Sequence, residues 1–410
     1  MSGLHTASTD RGDGLRTALK ASSGHAVALG VLAIVTLVLI VKLLLNHPFA
    51  LSDQPFPDAH EYLNEAYRLA HGHGFTTTVR DYPFSAHARQ AVNPSRYPPG
   101  TAIVLAPFSL FGSYPGNVEF GGRIIVVALV LAAGWAGYSL RGWYAAMISA
   151  FVVALSPFAM VNTQIVMSDA LGALLIVVCV PLMKVRAKWA GYVLGLVAGY
   201  GIVCRESGVI VIVCLLIVVQ GRERLRVVIG ALGPIVGLAL YNWSTFGVPW
   251  GSGYGYWLPP GFPEYSLSNV TRHPWPPGGQ GFYQSSLAPF HLVQQSHAGA
   301  IGPLSNLLFY PLILLGFSFV YGPPLLTLVG LVTAIRTWKR REARFTVLVA
   351  GLLTLFYMAN YSQDPRFLAG PCILLTVWGV VGLVMLTRAA WDRYGEATLN
   401  PDASMSRARS

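Results

Sequence analysis

Phe120 to Leu140 reads FGGRIIVVALVLAAGWAGYSL, an apolar run of the length a helix needs to cross the hydrocarbon core of a bilayer, about 20 residues. Similar runs lie on both sides of it, near Ala26–Leu45, Trp143–Ala159, Ala170–Met183, Trp189–Val203, Gly208–Val219, Val227–Trp243, Phe319–Ile335, Thr346–Tyr361 and Phe367–Leu386. Together they predict an all-α polytopic membrane protein with about 10 transmembrane helices, range about 9–12, in contact with the lipid bilayer. Composition agrees. Of 410 residues 54% are hydrophobic and 11% charged, against about 25% charged in an ordinary soluble chain.

The charges that remain fall between the runs. Arg141, then Lys184, Arg186 and Lys188, then Arg222, Arg224 and Arg226, then Arg336, Lys339, Arg340, Arg341 and Arg344 all land on one side if spans alternate. Basic short loops mark the cytoplasmic side, so both termini are expected there. The net charge of +11 is therefore a topology signal, and no nucleic-acid partner is expected, because no basic stripe interleaves with aromatics on a soluble module. Arg11, Arg16 and Lys20 ahead of the first run also suit a secretory signal, but no small-x-small cleavage site follows and the run is read as a retained span. The four cysteines, Cys179, Cys204, Cys214 and Cys372, sit inside apolar runs without metal-ligand spacing.

The same threading gives a cytoplasmic tail over 1–25, one transmembrane domain over 26–390 and a second cytoplasmic tail over 391–410, with long external loops at 46–119 and 245–303. Loops of that length usually carry function. Thr101–Phe111 and Leu304–Leu315 are apolar but short, and are expected as interfacial helices or partial insertions.

Ionisable residues near span ends mark sites more often than chance, because burying them in lipid costs about 2.5–3.5 kcal/mol on insertion scales. Asp169, Arg205, Glu206, Asp364 and Arg366 all fall on the external side. In the first long loop, Pro57 to Ala70 reads PDAHEYLNEAYRLA, and helical spacing stacks Asp58, Glu61, Tyr62 and Glu65 on one face. Glu61, Glu65 and Arg68 are expected to form a solvated face with paired charges. Asp58 follows Pro57, and its position allows either a helix cap or a carboxylate turned to the membrane mouth. The second loop is aromatic, with Tyr254, Tyr256 and Trp257 spaced by glycine and Trp275, Phe282 and Tyr283 further on. An interfacial belt accounts for such residues, as does stacking on sugar faces or cover for a prenyl chain. His60, His71, His73 and His87 fit no structural zinc pattern, so no metal is expected on them. No phosphate loop or dinucleotide fingerprint occurs.

In their order these residues resemble the GT-C superfamily of polytopic glycosyltransferases, especially the bacterial branch similar to protein mannosyltransferases and lipid A aminoarabinose transferases. The resemblance rests on Asp58 with Tyr62 four residues on, then Tyr97-Pro98-Pro99-Gly100, Ser168-Asp169, Arg205-Glu206, Asn242 with Gly247 and Pro249, and Arg366. It covers most of the chain, each motif being weak alone. It implies a GT-C fold that transfers a sugar from a polyprenyl-phosphate donor to a glycan, glycolipid or protein acceptor, inverting the anomeric carbon, on the outer face of a bacterial plasma membrane. Asp58 is then the catalytic base, Arg366 and Arg205 hold the donor phosphate, and Tyr62, Tyr97, Asp169, Glu206, Asn242, Tyr254 and Trp257 are substrate-binding candidates. The chain departs from the branch at Ala59, where a second acid is common; this makes a metal-assisted version less expected, and no cofactor is implied. The soluble C-terminal domain of some members is also not expected, which leaves acceptor recognition to the two external loops. Sugar identity stays open among mannose, arabinose, glucose and aminoarabinose. Two other readings compete: a transporter or flippase, for which no internal repeat with matching broken spans is seen, and a catalytically silent subunit that keeps the fold.

Overall fold

The computed structural model describes residues 27, 29–47, 57–79, 90–258, 265–271, 305–360 and 364–399. The tail 1–25, the loop stretches holding His87, Trp275, Phe282 and Tyr283, and residues 400–410 lie outside the described residues.

All ten predicted runs are helical at their centres: α1 (Leu29–Leu45) is followed, beyond the loop helix α2 (Pro57–Ala70) and the short α3 (Gly100–Ser109), by α4 (Gly116–Arg141), α5 (Trp143–Leu155), α6 (Pro157–Asn162), α7 (Ser168–Lys184), α8 (Trp189–Cys204), α9 (Gly208–Val218) and α10 (Gly221–Phe246). Short helices α11 (Gly253–Trp257) and α12 (Leu267–Thr271) belong to the second loop, and α13 (Ser305–Leu314), α14 (Leu326–Arg336), α15 (Arg341–Met358) and α16 (Ala369–Leu399) complete the bundle. Among the described residues three helices are each long and apolar enough to cross a membrane, Gly116–Arg141, Gly221–Phe246 and Pro365–Trp391; six more are apolar but 10–17 residues long.

Breaks in the runs have local causes. The run at 143–159 stops at Leu155 because Ser156 caps a new helix, accepting from the Ala159 N–H with Pro157 at its first position. The run at 319–335 becomes helical only at Leu326, after Pro323 and Pro324, whose rings disfavour helix in the residues before them.

α16 runs through the core: Cys372 to Leu375, Val377, Trp378, Val380 and Val381 are all buried, and the helix packs on α14, α7, α4 and α5. α10 is the opposite case. Only Val227 and Ala231 are buried along it, and Leu232, Ile235, Val236 and Leu240 are exposed, as befits a helix facing lipid. It is held mainly by α8, where Gly195 and Gly199 let the two backbones approach closely.

The bundle has two chemically distinct ends. At one, the basic loops gather: Arg341 pairs with Glu223 at 2.6 Å and Lys184 with Glu342 at 3.8 Å, tying the ends of α7, α10 and α15 together. At the other lie the N-terminus of α7, the C-terminus of α8, the start of α16 and both loop segments with α2 and α3.

Candidate active site

Arg366 is the hub at this second end. Its Nε lies 2.6 Å from Asp364 Oδ2, its Nη2 donates to Asp58 Oδ2 at 3.1 Å, and its Nη1 is 3.8 Å from Asp169 Oδ2. Arg205 pairs with Asp169, and both guanidiniums lie over the Phe367 ring, at 5.3 and 5.6 Å. Chain folding explains the convergence. Asp364 begins a single 3-10 turn, Pro365–Leu368, by accepting from the Arg366 N–H at 3.0 Å; Asp169 stands in the first turn of α7; Arg205 is the C-cap of α8. Three carboxylates from different elements share two guanidiniums, an arrangement of charge-assisted hydrogen bonds that fixes their relative positions.

Asp58 completes the cluster from α2. Its Oδ1 accepts from the Tyr97 hydroxyl at 2.5 Å and its Oδ2 from Arg366, so the carboxyl faces the cluster and both oxygens are engaged there. Burial alone would push this carboxyl up; Arg366, the Tyr97 hydroxyl and Arg96 outweigh it and hold Asp58 below the usual range.

Tyr97 is aimed by residues behind it. Glu61 Oε1 accepts from the Arg96 N–H at 2.5 Å and the Ser95 hydroxyl at 3.1 Å, and Ser95 Oγ in turn accepts from the Tyr97 N–H at 3.2 Å. Tyr62 packs on Tyr97 with ring centroids 4.9 Å apart, and Tyr254 stands edge-on to it at 5.7 Å. The sequence Tyr97-Pro98-Pro99-Gly100 then starts α3 against the end of α8. A Cβ on Gly100 would lie 2.6 Å from the Val203 carbonyl carbon, and Tyr200 donates its hydroxyl to the Gly100 carbonyl at 2.7 Å. Glycine at this position is a packing requirement.

The start of the second loop, through Trp257, packs on the first. Trp257 Nε1 donates to the Pro94 carbonyl at 2.9 Å and Tyr256 donates to Asn93 Oδ1 at 3.2 Å. Gly253 abuts the Ser95 and Arg96 carbonyls so closely that any Cβ would collide with them.

The solvated acidic face expected for α2 is overturned. Glu61 is 1% exposed and Glu65 0%, and Arg68 donates to Thr76 Oγ1 at 2.8 Å. The face turns inward because the antiparallel pair Thr76–Thr77 with Asn93–Pro94 folds over α2. Burial pushes Glu61 up to about 7 against the hydrogen bonds from Arg96 and Ser95. Glu65 is driven further up by burial and by Glu61; neither of its oxygens has a hydrogen bond of normal geometry, since the nearby Ser95 proton goes to Glu61.

Of the sequence-predicted residues, Asp58, Tyr62, Tyr97, Asp169, Arg205, Tyr254 and Arg366 come together. Glu206 and Asn242 line a separate cleft next to them. Trp257 is 2% exposed and its N–H donates to the Pro94 carbonyl, so it packs the two loop segments together. Sequence reasoning missed Arg96, whose guanidinium lies 5.2 Å over the Tyr254 ring, and left Asp364 without a role. Arg96 adjoins the Tyr-Pro-Pro-Gly motif, the one signal that pointed to it.

Two cavities flank the cluster. A narrow one, about 40 Å³, runs between α7, α8, α9, α15 and α16, with apolar walls of Ile176, Val197, Val211 and Leu353 and with Arg205 and Arg366 at its head. A wider one of about 260 Å³ lies between α10 and Tyr97-Pro98. Among the described residues no group of three or more His, Cys, Asp or Glu is arranged to hold a metal ion.

No family model and no curated protein matches the chain by sequence. Its fold is that of solved GT-C superfamily glycosyltransferases. It superposes on ArnT from Cupriavidus metallidurans bound to undecaprenyl phosphate with a TM-score of 0.54 at 13% identity, covering 92% of this chain and 64% of ArnT, and on apo ArnT with a TM-score of 0.52 at 14% identity, covering 93% and 64%. The oligosaccharyltransferase of Archaeoglobus fulgidus, tethered to an acceptor peptide, superposes with a TM-score of 0.53 at 12% identity, covering 88% of this chain and 50% of that one. The chain therefore spans about half to two thirds of the length of these proteins.

Proposed function

We propose that the protein is a membrane glycosyltransferase that moves a sugar from a polyprenyl-phosphate donor to a hydroxyl acceptor at the external face of a bacterial plasma membrane, with inversion at the anomeric carbon. The observation that carries this reading is the pair Arg205 and Arg366 at the head of a narrow apolar cavity, beside the half-buried Asp58 carboxylate of α2. A lipid phosphate has the same layout, with two or more oxygens above a hydrocarbon chain, and guanidiniums are suited to bind it through paired hydrogen bonds. The fold shared with a protein solved with undecaprenyl phosphate supports the same assignment.

In the reaction the acceptor oxygen attacks the anomeric carbon opposite the phosphate. The new carbon–oxygen bond forms as the bond from carbon to phosphate oxygen breaks, the hydroxyl proton passes to Asp58, and the lipid phosphate leaves with its added charge held by Arg366 and Arg205. Before donor binds, Arg366 is spent on carboxylates, and this keeps Asp58 a weak base. A phosphate drawing Arg366 away relieves Asp58 of its cation and raises its basicity where the proton must be taken, so donor binding arms the base. Tyr97 keeps the carboxyl oriented while this happens.

We further propose that no divalent metal takes part, because Arg366 occupies the position among Asp58, Asp169 and Asp364 that a cation would need. Transfer by the purified protein in the presence of excess chelator tests this: activity within twofold of the untreated enzyme is expected, and loss restored by a divalent ion contradicts it. The reaction itself is tested by transfer of labelled sugar from a panel of polyprenyl-phosphate sugars into membrane extract.

A further inference from the structure

The cluster at Asp58 sits between two cavities of opposite character, and one turn of chain serves both. Arg205 heads the narrow shaft, while its neighbour Glu206 lies in the wider cleft. Tyr97, which donates to Asp58, lines that cleft as well. The lower wall is a single stripe of α10, Ile235, Leu238, Ala239, Asn242 and Phe246, spaced as one helical face. Its upper rim is the turn that follows α10, with Pro249, the 81%-exposed Trp250, and Ser252.

The chemistry of this lining selects its occupant. Among the residues that line the cleft there is no Lys or Arg, and the charged group among them is the carboxylate of Glu206, beside Ser252. An anionic group is repelled there, whereas hydroxyl donors are accepted by a carboxylate through strong charge-assisted bonds. Tyr241 lies on the same wall, with its hydroxyl buried. Trp250, Phe246 and Tyr97 present apolar ring surface. Carboxylate, amide and hydroxyl groups beside aromatic faces suit a ring with polar edges and C–H faces. The cleft volume, about 260 Å³, is just below the common small-ligand range of about 300–1,000 Å³, and suits one or two sugar units.

We infer that the cleft between α10 and Tyr97-Pro98 is the acceptor subsite and takes a neutral saccharide, whose hydroxyls bind Glu206 and Asn242 and whose ring lies against Trp250. The inference rests on the glycosyltransferase reading and adds the acceptor class to it: a neutral glycan end, in preference to a peptide or an acidic sugar. The anionic donor is then sorted to the arginine side and the uncharged acceptor to the glutamate side, with Asp58 and Tyr97 at the boundary where the proton is transferred.

Binding can be read without catalysis. The protein in nanodiscs, with no donor present, is titrated with neutral mannose, glucose and arabinose disaccharides, with a glucuronate-containing disaccharide and with a Ser/Thr-rich peptide, and tryptophan fluorescence is followed. The expected result is a saturable change with at least one neutral saccharide, absent in Trp250→Phe and weakened at least tenfold in Glu206→Gln. Glu206→Gln keeps a partner for Ser252, and Trp250 is exposed, so both variants are expected to fold; unchanged thermal midpoints confirm it. No response to any neutral saccharide, an equal response in both variants, or saturable binding of the peptide instead overturns the inference. A transfer assay separates the two readings. Saccharide binding without transfer from any donor rejects the glycosyltransferase reading and keeps the subsite, while transfer with an acceptor KM unaltered by Glu206→Gln rejects the subsite and keeps the enzyme.

Discussion

Asp58 and Arg366 form a direct ion pair, yet their substitutions should behave differently. Asp58→Asn keeps the shape and the Tyr97 contact but removes the proton acceptor, so turnover is expected to fall by about 10²–10⁴-fold, the usual worth of a general base, while binding of a fluorescent polyprenyl phosphate persists. Arg366→Ala leaves Asp58, Asp169 and Asp364 with one guanidinium among them. Breaking a buried ion pair from one side costs about 3–5 kcal/mol, so a lowered thermal midpoint in detergent is expected along with lost donor binding. Arg366→Lys retains the charge without the planar fork; it should recover much of the stability and little of the donor affinity, and equal affinity for wild type and Arg366→Lys would argue against a bidentate phosphate contact. The candidates Asp58, Arg205 and Arg366 were legible in the sequence because charge is costly near lipid and stands out there. Their mutual contacts were not, since Arg366 and Asp58 meet only where the 3-10 turn Pro365–Leu368 reaches α2 across most of the chain. Trp257 shows the converse: glycine spacing identifies aromatic side chains but cannot say which one is committed to a carbonyl such as that of Pro94.

At the scale of elements, α2 is the instructive case. Its acidic face read as solvated because every cue lay within the helix, whereas its partners, Ser95 and Arg96, lie about 30 residues further on and no local pattern reports them. The consequence is a measurable pH dependence. Glu61 and Glu65 titrate higher in the folded protein than in an unfolded chain, so the folded state binds more protons and the stability they confer is complete below about pH 4.5 and is lost as pH rises through about 7. Thermal midpoints across pH 5–8 should therefore decline, and Glu65→Gln, which makes the neutral form permanent, should flatten the decline and stabilise the protein at pH 8. A midpoint that rises with pH in that window would contradict the buried-acid assignment. The junction of α3 with α8 makes a second element-level prediction. Gly100→Ala forces a Cβ into the Val203 backbone, so α3 must shift and carry Tyr97 with it; a clear loss of turnover is expected even though residue 100 contacts no substrate. The helices themselves were legible almost throughout, because hydropathy reports a bilayer-facing run directly, and the misjudged ends at 155 and 326 fall where Ser156-Pro157 and Pro323-Pro324 override it.

The whole molecule has two distinct ends, one basic and tied by Glu223, Arg341, Lys184 and Glu342, the other bearing the Asp58 cluster. If basic loops face the cytoplasm, a membrane-impermeant maleimide added to intact cells should label Trp250→Cys, and should label Arg186→Cys only after the membrane is opened. The four native cysteines are buried and give a low background for this experiment. The reverse labelling pattern would place the site inside the cell and exclude an external acceptor. The central claim is sugar transfer that depends on Asp58. Its most direct test is transfer of radiolabelled sugar from defined polyprenyl-phosphate donors by the purified protein, wild type beside Asp58→Asn, with membrane extract as acceptor. Transfer from at least one donor by wild type and its near abolition in Asp58→Asn are expected; equal transfer by the two proteins would contradict the assignment of Asp58 as the base.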